Sequence, residues 1–304
     1  MSAQEPLCEL LDRLKAARYH FVPVTPATHA TVVARQPPSQ LSLRDVFGWN
    51  RAYHAHDVPA SLLDLLRAAN ALEDDQGRLR SKVRVASLGS DLLLHSAFPP
   101  EDVNSVFFGP DTYRFVRFLK QQLPRVPGGW LVDMGAGSGA GAIAAARERP
   151  FRRTTMVDVN VEALRLAHLN AAAARVEVEG VASNMLPKGA DVVIANPPYM
   201  MDCSARAYRD GGDLLGGALA LDWVTQALRS LAPGGTMLLY TGAAYVDGEA
   251  LLLTEMARVC DNAGASLELS EIDPDVFGDE LTEPGYEQVE RIAAIGAVIK
   301  TRAV

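Results

Sequence analysis

Two short stretches of the chain combine residue types suited to chemistry, and each follows an apolar run that predicts a buried strand. The first is LVDMGAGSGA, residues 131–140, in which Asp133 precedes three closely spaced glycines. Glycine lets the chain turn tightly from a strand into a helix and lets a ligand approach the backbone, because it has no Cβ. The second is Asn196-Pro197-Pro198-Tyr199, behind the strand-like run DVVIA at residues 191–195. We expect the first stretch to bind a ligand and the second to position a reacting group.

The glycine turn alone fits two classes of ligand. Gly135-x-Gly137-x-x-Ala140 matches the dinucleotide fingerprint of NAD enzymes, in which a helix N-terminus holds a pyrophosphate. Asp133 disfavours that reading, because an acid ahead of the first glycine repels a pyrophosphate but suits a ligand with an ammonium and a sulfonium group. Asp158, at the end of the next predicted strand, can accept hydrogen bonds from both hydroxyls of a ribose. A glycine turn that serves only helix–strand packing is the remaining alternative.

Asp133-x-Gly135-x-Gly137-x-Gly139 together with Asp158 resembles the S-adenosylmethionine site of Rossmann-like methyltransferases. The resemblance implies an α/β fold with a seven-stranded Rossmann-like sheet, helices on both faces and an antiparallel last strand. Ser183 and Asn184 stand where many relatives carry an Asp that contacts adenine. The cofactor-binding residues that follow from the resemblance are Asp133, Gly135, Ala136, Gly137, Gly139, Asp158, Val159, Ser183, Asn184 and Asn196.

Asn196-Pro197-Pro198-Tyr199 resembles the Asn/Asp-Pro-Pro-Tyr/Phe motif of methyltransferases that modify a nitrogen conjugated to a planar group. The lone pair of such a nitrogen is delocalised, so we expect the Asn196 side-chain carbonyl and the Pro197 backbone carbonyl to accept hydrogen bonds from its two N–H groups. Pro198 stiffens the loop and lacks a competing N–H, and Tyr199 offers a ring face to a planar substrate. An ordinary turn after a strand is the structural alternative. The predicted catalytic residues are Asn196, Pro197 and Tyr199, and the predicted substrate-binding residues are Pro198, Tyr199, Phe108 and Tyr208.

The segment FFGPDTYRF, residues 107–115, resembles the sequence ahead of the catalytic domain in the HemK-type protein glutamine-N5 methyltransferase family. That family has Pro-Asp/Glu-Thr-Glu at this point. Pro110, Asp111 and Thr112 match it, whereas Tyr113 replaces the Glu. The acceptor therefore stays open among a protein glutamine, an RNA or DNA base and a small metabolite.

At 304 residues the chain exceeds one average domain. We predict a smaller N-terminal α+β domain over residues 1–106, for substrate recognition or dimerisation, and a methyltransferase domain over residues 107–304. In the first, a helix over residues 59–72 followed by strand-like runs gives the outline of a winged helix. Four cations alternate in one of those runs and would share one strand face, as a solvated face or as an RNA contact: Arg78, Arg80, Lys82 and Arg84.

Six acids cluster near the C-terminus, namely Asp273, Asp275, Asp279, Glu280, Glu283 and Glu287. Most such runs are solvated surface, but one that folds over the pocket would favour a cationic or amine substrate and disfavour RNA. The net charge of -8 argues in the same direction, against a protein that grips long nucleic acid through its phosphates.

The remaining sequence features define the predicted enzyme class and location. Cys8, Cys203 and Cys260 lack metal-ligand spacing, so no metal is predicted. The sequence has neither a signal-peptide pattern nor an apolar run of about 20 residues, which predicts a cytoplasmic protein without a membrane partner. We predict an S-adenosylmethionine-dependent N-methyltransferase that releases S-adenosylhomocysteine. A homodimer through the N-terminal domain is one option, and substrate recognition is the other role open to that domain. A non-catalytic cofactor-binding sensor or scaffold is the alternative.

Overall fold

Residues 5–97, 104–201 and 209–303 are described by a computed structural model. The N-terminal part contains helices followed by two antiparallel hairpins: α1 (Pro6–Ala16), α2 (Pro26–Val33), α3 (Leu43–Phe47), α4 (Ala60–Ala68), β1 (Leu72–Asp75), β2 (Arg78–Ser81), β3 (Val83–Leu88) and β4 (Asp91–Ser96). The predicted helix after Pro59 is α4, and it is followed by a hairpin as expected. However, the chain forms two separate two-stranded sheets here, because the run after Arg78 breaks at Lys82.

The predicted strand face with four cations is wrong. Arg84 lies on β3, where it is only 6% exposed and donates from Nε to the backbone oxygen of Gly48 at 2.8 Å. Burial lowers the pKa of Arg84 to about 10. Arg80, on the other hairpin, is paired with Asp75. The alternating cations therefore belong to two strands with different surroundings and do not form a phosphate-binding row.

A seven-stranded sheet forms the centre of the rest of the chain. Its strands are β5 (Trp130–Met134), β6 (Arg153–Asp158), β7 (Glu179–Ala182), β8 (Ala190–Ala195), β9 (Leu231–Tyr245), β10 (Ser266–Asp273) and β11 (Arg291–Lys300). The spatial order is β10-β11-β9-β8-β5-β6-β7, and β11 runs antiparallel to both of its neighbours, whereas the other pairs are parallel. The predicted seven-stranded sheet with an antiparallel last strand is confirmed.

Helices cover both faces of the sheet: α5 (Pro110–Gln122), α6 (Ala140–Glu148), α7 (Val161–Ala174), α8 (Ala218–Ser230) and α9 (Leu251–Ala263). Because side chains alternate along a strand, Val132 and Met134 of β5 enter the core formed with α8 and α9, whereas Leu131 enters the core formed with α5. Asp133 shares the α5 side with Leu131. No helix in the described ranges is long and apolar enough to cross a membrane.

The N-terminal part packs directly against α7. Leu166 and Leu169 of α7 share one apolar core with the leucines of α1 and α4. Asn170 is fully buried beside them; its Oδ1 accepts from the Leu94 N–H at 2.7 Å, and its Nδ2 donates to Leu94 O at 3.0 Å and to Ser138 O at 2.9 Å. One side chain therefore joins the hairpin β3–β4 to the glycine turn. The domain boundary at residue 106 remains a prediction.

We expect Asn170→Ala to destabilise the protein by about 2–4 kcal/mol, because it leaves buried backbone groups of Leu94 and Ser138 without partners. Urea unfolding followed by far-UV circular dichroism measures the change. Asn262→Ala is the matched control, since Asn262 is an exposed residue of α9. Equal stability of the two variants would show that the bonds of Asn170 contribute nothing net.

Candidate active site

The glycine turn is held against the end of β6. The N–H groups of Gly135 and Ala136 both donate to Val157 O, at 2.8 and 3.1 Å. Gly135 and Gly137 have φ values of +69° and +53°, a region that glycine adopts at little cost. The nearest atom to an added Cβ on Gly137 would be Gly135 O at 3.9 Å, so this side of the turn is open to a ligand.

Asp158 is fixed next to this turn by two backbone donors. Its Oδ2 accepts from the Gly137 N–H at 2.8 Å and its Oδ1 accepts from the Asn160 N–H at 2.9 Å. A carboxylate has about four acceptor positions, so about two remain for a ligand. This arrangement fits a group that presents two adjacent hydroxyls, as a ribose does.

Asp133 lies below the first turn of α6. It is 2% exposed, and its Oδ2 accepts from the Ala142 N–H at 2.8 Å. Burial raises the pKa of Asp133 to about 7, and the nearby charge of Asp158 adds to the shift. The carboxylate thus takes up a helix N-terminal amide of the kind that a pyrophosphate would bind, which argues against a dinucleotide at this turn.

The loop after β8 presents two acceptors towards the same region. Ala195 pairs with Met134 of β5, so Asn196 follows β8 beside the beginning of the glycine turn. Asn196 Oδ1 is buried and has no hydrogen-bond partner among the described residues. Within the described ranges, Pro197 O likewise accepts no hydrogen bond. Since a buried acceptor without a donor is costly, Asn196 Oδ1 fits a ligand that donates an N–H group, and Pro197 O, on the next residue of the cavity wall, can accept a second one.

Tyr199 is part of a buried aromatic cluster. Its ring contacts the rings of Tyr240 and Phe277 edge to face, with centroids 6.5 and 5.9 Å apart, and it lies on Gly242. Tyr240 donates its hydroxyl to Asp111 Oδ1 at 2.7 Å. Burial and the charge of Asp111 raise the pKa of Tyr199 well above its ordinary value. Tyr199 is only 8% exposed, so its ring is used mainly for packing and little of it remains for substrate stacking.

One cavity of about 720 Å³ brings most of the predicted site residues together. Those that line it are Asp133, Gly135, Ala136, Gly137, Asp158, Val159, Ser183, Asn184, Asn196, Pro197, Pro198 and Tyr199. Asp111 also lines it, with 3% exposure and an ion pair to Arg114. The predicted site residues do not include Asp111, although its place in the Pro-Asp-Thr match is a sequence signal for it.

Two predicted site residues do not line the cavity. Gly139 begins α6 with φ +77°, and a Cβ there would meet Ala167 and the sulfur of Met156, so Gly139 serves helix packing. Phe108 is 3% exposed and stacks on His95 with centroids 5.6 Å apart. Its neighbour Phe107, 38% exposed, lines the cavity in its place. The predicted residues Tyr208 and Cys203 lie outside the described residues, whereas Cys8 and Cys260 are buried free thiols.

The acidic run near the C-terminus also reaches the cavity. Its residues 275–280 line one wall, where Phe277 contacts Tyr199, and Glu280 is paired with Arg209. Tyr286 is buried, and its hydroxyl accepts from the Met201 N–H at 2.8 Å. The run is therefore both surface and cavity wall: Asp275, Asp279, Glu283 and Glu287 are exposed, as expected of a solvated loop, whereas Val276 and Glu280 are buried at the cavity. No group of residues with metal-ligand character occurs within the described part of the chain.

A family model for the methyltransferase small domain matches residues 114–259. This part of the chain therefore resembles a methyltransferase small domain. The match includes three of the segments that line the cavity: the glycine turn, Asp158 and Asn196-Pro197-Pro198-Tyr199. The wall formed by residues 275–280 falls outside it.

Curated relatives agree with this family. A release factor glutamine methyltransferase from Koribacter versatilis is 30% identical over 154 residues, which cover 45% of this chain and 55% of the relative. Another from Deinococcus radiodurans is 25% identical over 238 residues, or 70% of this chain and 80% of the relative. A ribosomal RNA small subunit methyltransferase C from Pseudomonas aeruginosa is 31% identical over 124 residues, which cover 40% of this chain and 34% of the relative. The first of these matches thus spans about half of the relative's length.

The fold also occurs among solved structures. Trm5b from Pyrococcus abyssi superposes with a TM-score of 0.51 at 14% identity, over 81% of this chain and 68% of that one. At this level of identity the likeness concerns the fold alone, and it agrees with the Rossmann-like sheet.

The pKa of Asp133 leads to a pH-dependence prediction. The raised value of about 7 means that the side chain is neutral below pH 7 and charged above it. A cationic ligand favours the charged form, so affinity for S-adenosylmethionine should rise up to about tenfold per pH unit towards pH 7 and then level off. Calorimetry at several pH values, in buffers of different ionisation enthalpy, should show proton release near pH 7. The same pH dependence in Asp133→Asn would contradict this assignment.

Gly242→Ala should disturb the loop of residues 196–199, called the substrate loop below, without touching the glycine turn. The new Cβ would lie 2.3 Å from the Tyr199 ring, and such overpacking costs about 1–3 kcal/mol. Chemical unfolding measures the loss, and calorimetry should give an unchanged affinity for S-adenosylmethionine. Gly278→Ala is the control, because nothing lies within 4 Å of its added Cβ. A stability equal to that of this control would mean that Tyr199 is not fixed by Gly242.

Proposed function

We infer that the protein is an S-adenosylmethionine-dependent methyltransferase that modifies a nitrogen conjugated to a planar group. The observation that carries this proposal is the pair of acceptors Asn196 Oδ1 and Pro197 O, which lack donors among the described residues and line the cavity in the part of the chain that resembles a methyltransferase small domain. An amide or an exocyclic base amine supplies two N–H donors on one nitrogen.

The residues that would hold the cofactor fit its chemistry. Asp158 has acceptor capacity left for ribose hydroxyls, the open side of Gly137 leaves room for a ligand at the backbone, and Asp133 places a carboxylate below the turn. Val159, Ser183 and Asn184 line the adjoining wall and are proposed to contact the base. When bound, S-adenosylmethionine supplies a methyl group activated by a sulfonium.

The protein's own contribution is alignment of the acceptor. Asn196 Oδ1 and Pro197 O accept the two N–H groups, which turns the nitrogen lone pair out of conjugation and fixes its direction. Tyr199 keeps this loop rigid through its contacts with Tyr240 and Phe277. Burial keeps the hydroxyls of Tyr199 and Tyr240 protonated, so neither acts as a base.

The names of the relatives support two acceptor classes, a protein glutamine and an RNA base. Incubation with labelled S-adenosylmethionine and cell extract, followed by separation into protein, RNA and small-molecule fractions, identifies the class. Label in none of the fractions would support the sensor or scaffold alternative. A cytoplasmic location and a homodimer through the N-terminal part remain predictions, which fractionation and size-exclusion chromatography test.

Asn196→Ala should lower methyl transfer by about a hundredfold or more, because one of the two bonds that orient the nitrogen is lost. Its affinity for S-adenosylmethionine should stay within about tenfold, since the proposed contacts of Asn196 are to the acceptor. Transfer to extract and calorimetry measure the two quantities. Asn262→Ala, on the exposed face of α9, is the control. Equal losses of transfer and cofactor affinity would contradict the assigned role.

A further inference from the structure

The run from Asp273 to Glu287, called the acidic segment below, is fixed onto the substrate loop. Phe277 packs against Tyr199, and Glu280 is paired with Arg209. At its other end, Arg114 of α5 donates to Asp273 at 3.1 Å from Nε. The acidic segment therefore holds a defined position at the cavity.

The cavity carries more negative than positive groups. Six carboxylates and two guanidinium groups occur among its described lining residues. Both guanidinium groups are already paired, Arg114 with Asp111 and Asp273, and Arg209 with Glu280. Asp275 and Asp279 are exposed, and neither carboxylate has a hydrogen-bond or ion-pair partner within the described ranges. The outer part of the wall thus presents negative charge that no described cation compensates.

The proposed acceptor atoms lie deeper than these two carboxylates. Asn196 Oδ1 is fully buried, whereas Asp275 and Asp279 are exposed. A molecule whose nitrogen reaches Asn196 must therefore extend outwards to meet them. A side chain presented by a polypeptide does so, because the neighbouring residues of the polypeptide stay at the mouth of the cavity.

We propose that the methyl acceptor is a polypeptide segment with a basic side chain next to the residue that is methylated, and that Asp275 and Asp279 bind that positive charge. This proposal rests on the function proposed above and specifies the substrate of the same site. A nucleic acid would bring phosphates against the two carboxylates, and the net charge of -8 adds to that repulsion.

Fluorescence anisotropy with three labelled probes tests the proposal. The probes are a nonapeptide with one glutamine flanked by two lysines, the same peptide with two glutamates in place of the lysines, and a single-stranded RNA dodecamer. All are titrated with the full chain in the presence of S-adenosylhomocysteine. The double variant Asp275→Asn/Asp279→Asn is compared with Asp261→Asn/Glu268→Gln, which removes the same charge from exposed positions outside the cavity.

The lysine peptide should bind about tenfold or more tighter than the glutamate peptide, and the double variant at the cavity should reduce this preference about three- to tenfold. The control variant should retain the preference, and added salt should weaken it. No preference for the lysine peptide, an equal effect of both variants, or tighter binding of RNA would each overturn the proposal. Calorimetry with S-adenosylmethionine distinguishes a failure of this substrate proposal from a failure of the proposed function. If only the substrate proposal fails, the cofactor still binds wild type and double variant alike.

Discussion

The site depends on three neighbouring parallel strands that end at the same edge of the sheet. Met134 at the end of β5 pairs with Val157 of β6 on one side and with Ala195 of β8 on the other. The residues that follow these three positions are Gly135, Asp158 and Asn196, and all of them line one cavity. A change in the register of either pair would separate the glycine turn from its carboxylate or from the substrate loop.

Charge divides the cavity into two environments. Asp133 is buried beneath α6 with a raised pKa, and Asp158 is held by backbone N–H groups at the glycine turn. At the beginning of α5, Asp111 is balanced by Arg114 and receives the Tyr240 hydroxyl. This buried polar contact connects α5 to β9 under the substrate loop, so the positions of Tyr199 and of the acidic segment depend on the same cluster.

Much of the catalytic domain was predictable from the sequence because its signals are local. The helix α7 is rich in Ala and Leu, the strand β11 is a continuous apolar run, and the glycine turn and Asn196-Pro197-Pro198-Tyr199 are short motifs. The sequence does not show which of Phe107 and Phe108 faces the cavity, because both are aromatic. Packing of Phe108 against His95 decides that Phe108 is the buried one. The burial of Arg84 and the position of the acidic segment depend on contacts with residues far away in the sequence, Gly48 and Tyr199. A hydrophobic or charge pattern does not encode such partners.

The proposed function requires the cofactor to lie along the glycine turn, between Asp158 and Asn196. A crystal structure of the protein with S-adenosylhomocysteine tests it most directly. We expect the ribose hydroxyls on Asp158 and the thioether sulfur facing the loop that contains Asn196. Ligand density at another place, or a ribose that does not contact Asp158, would contradict it.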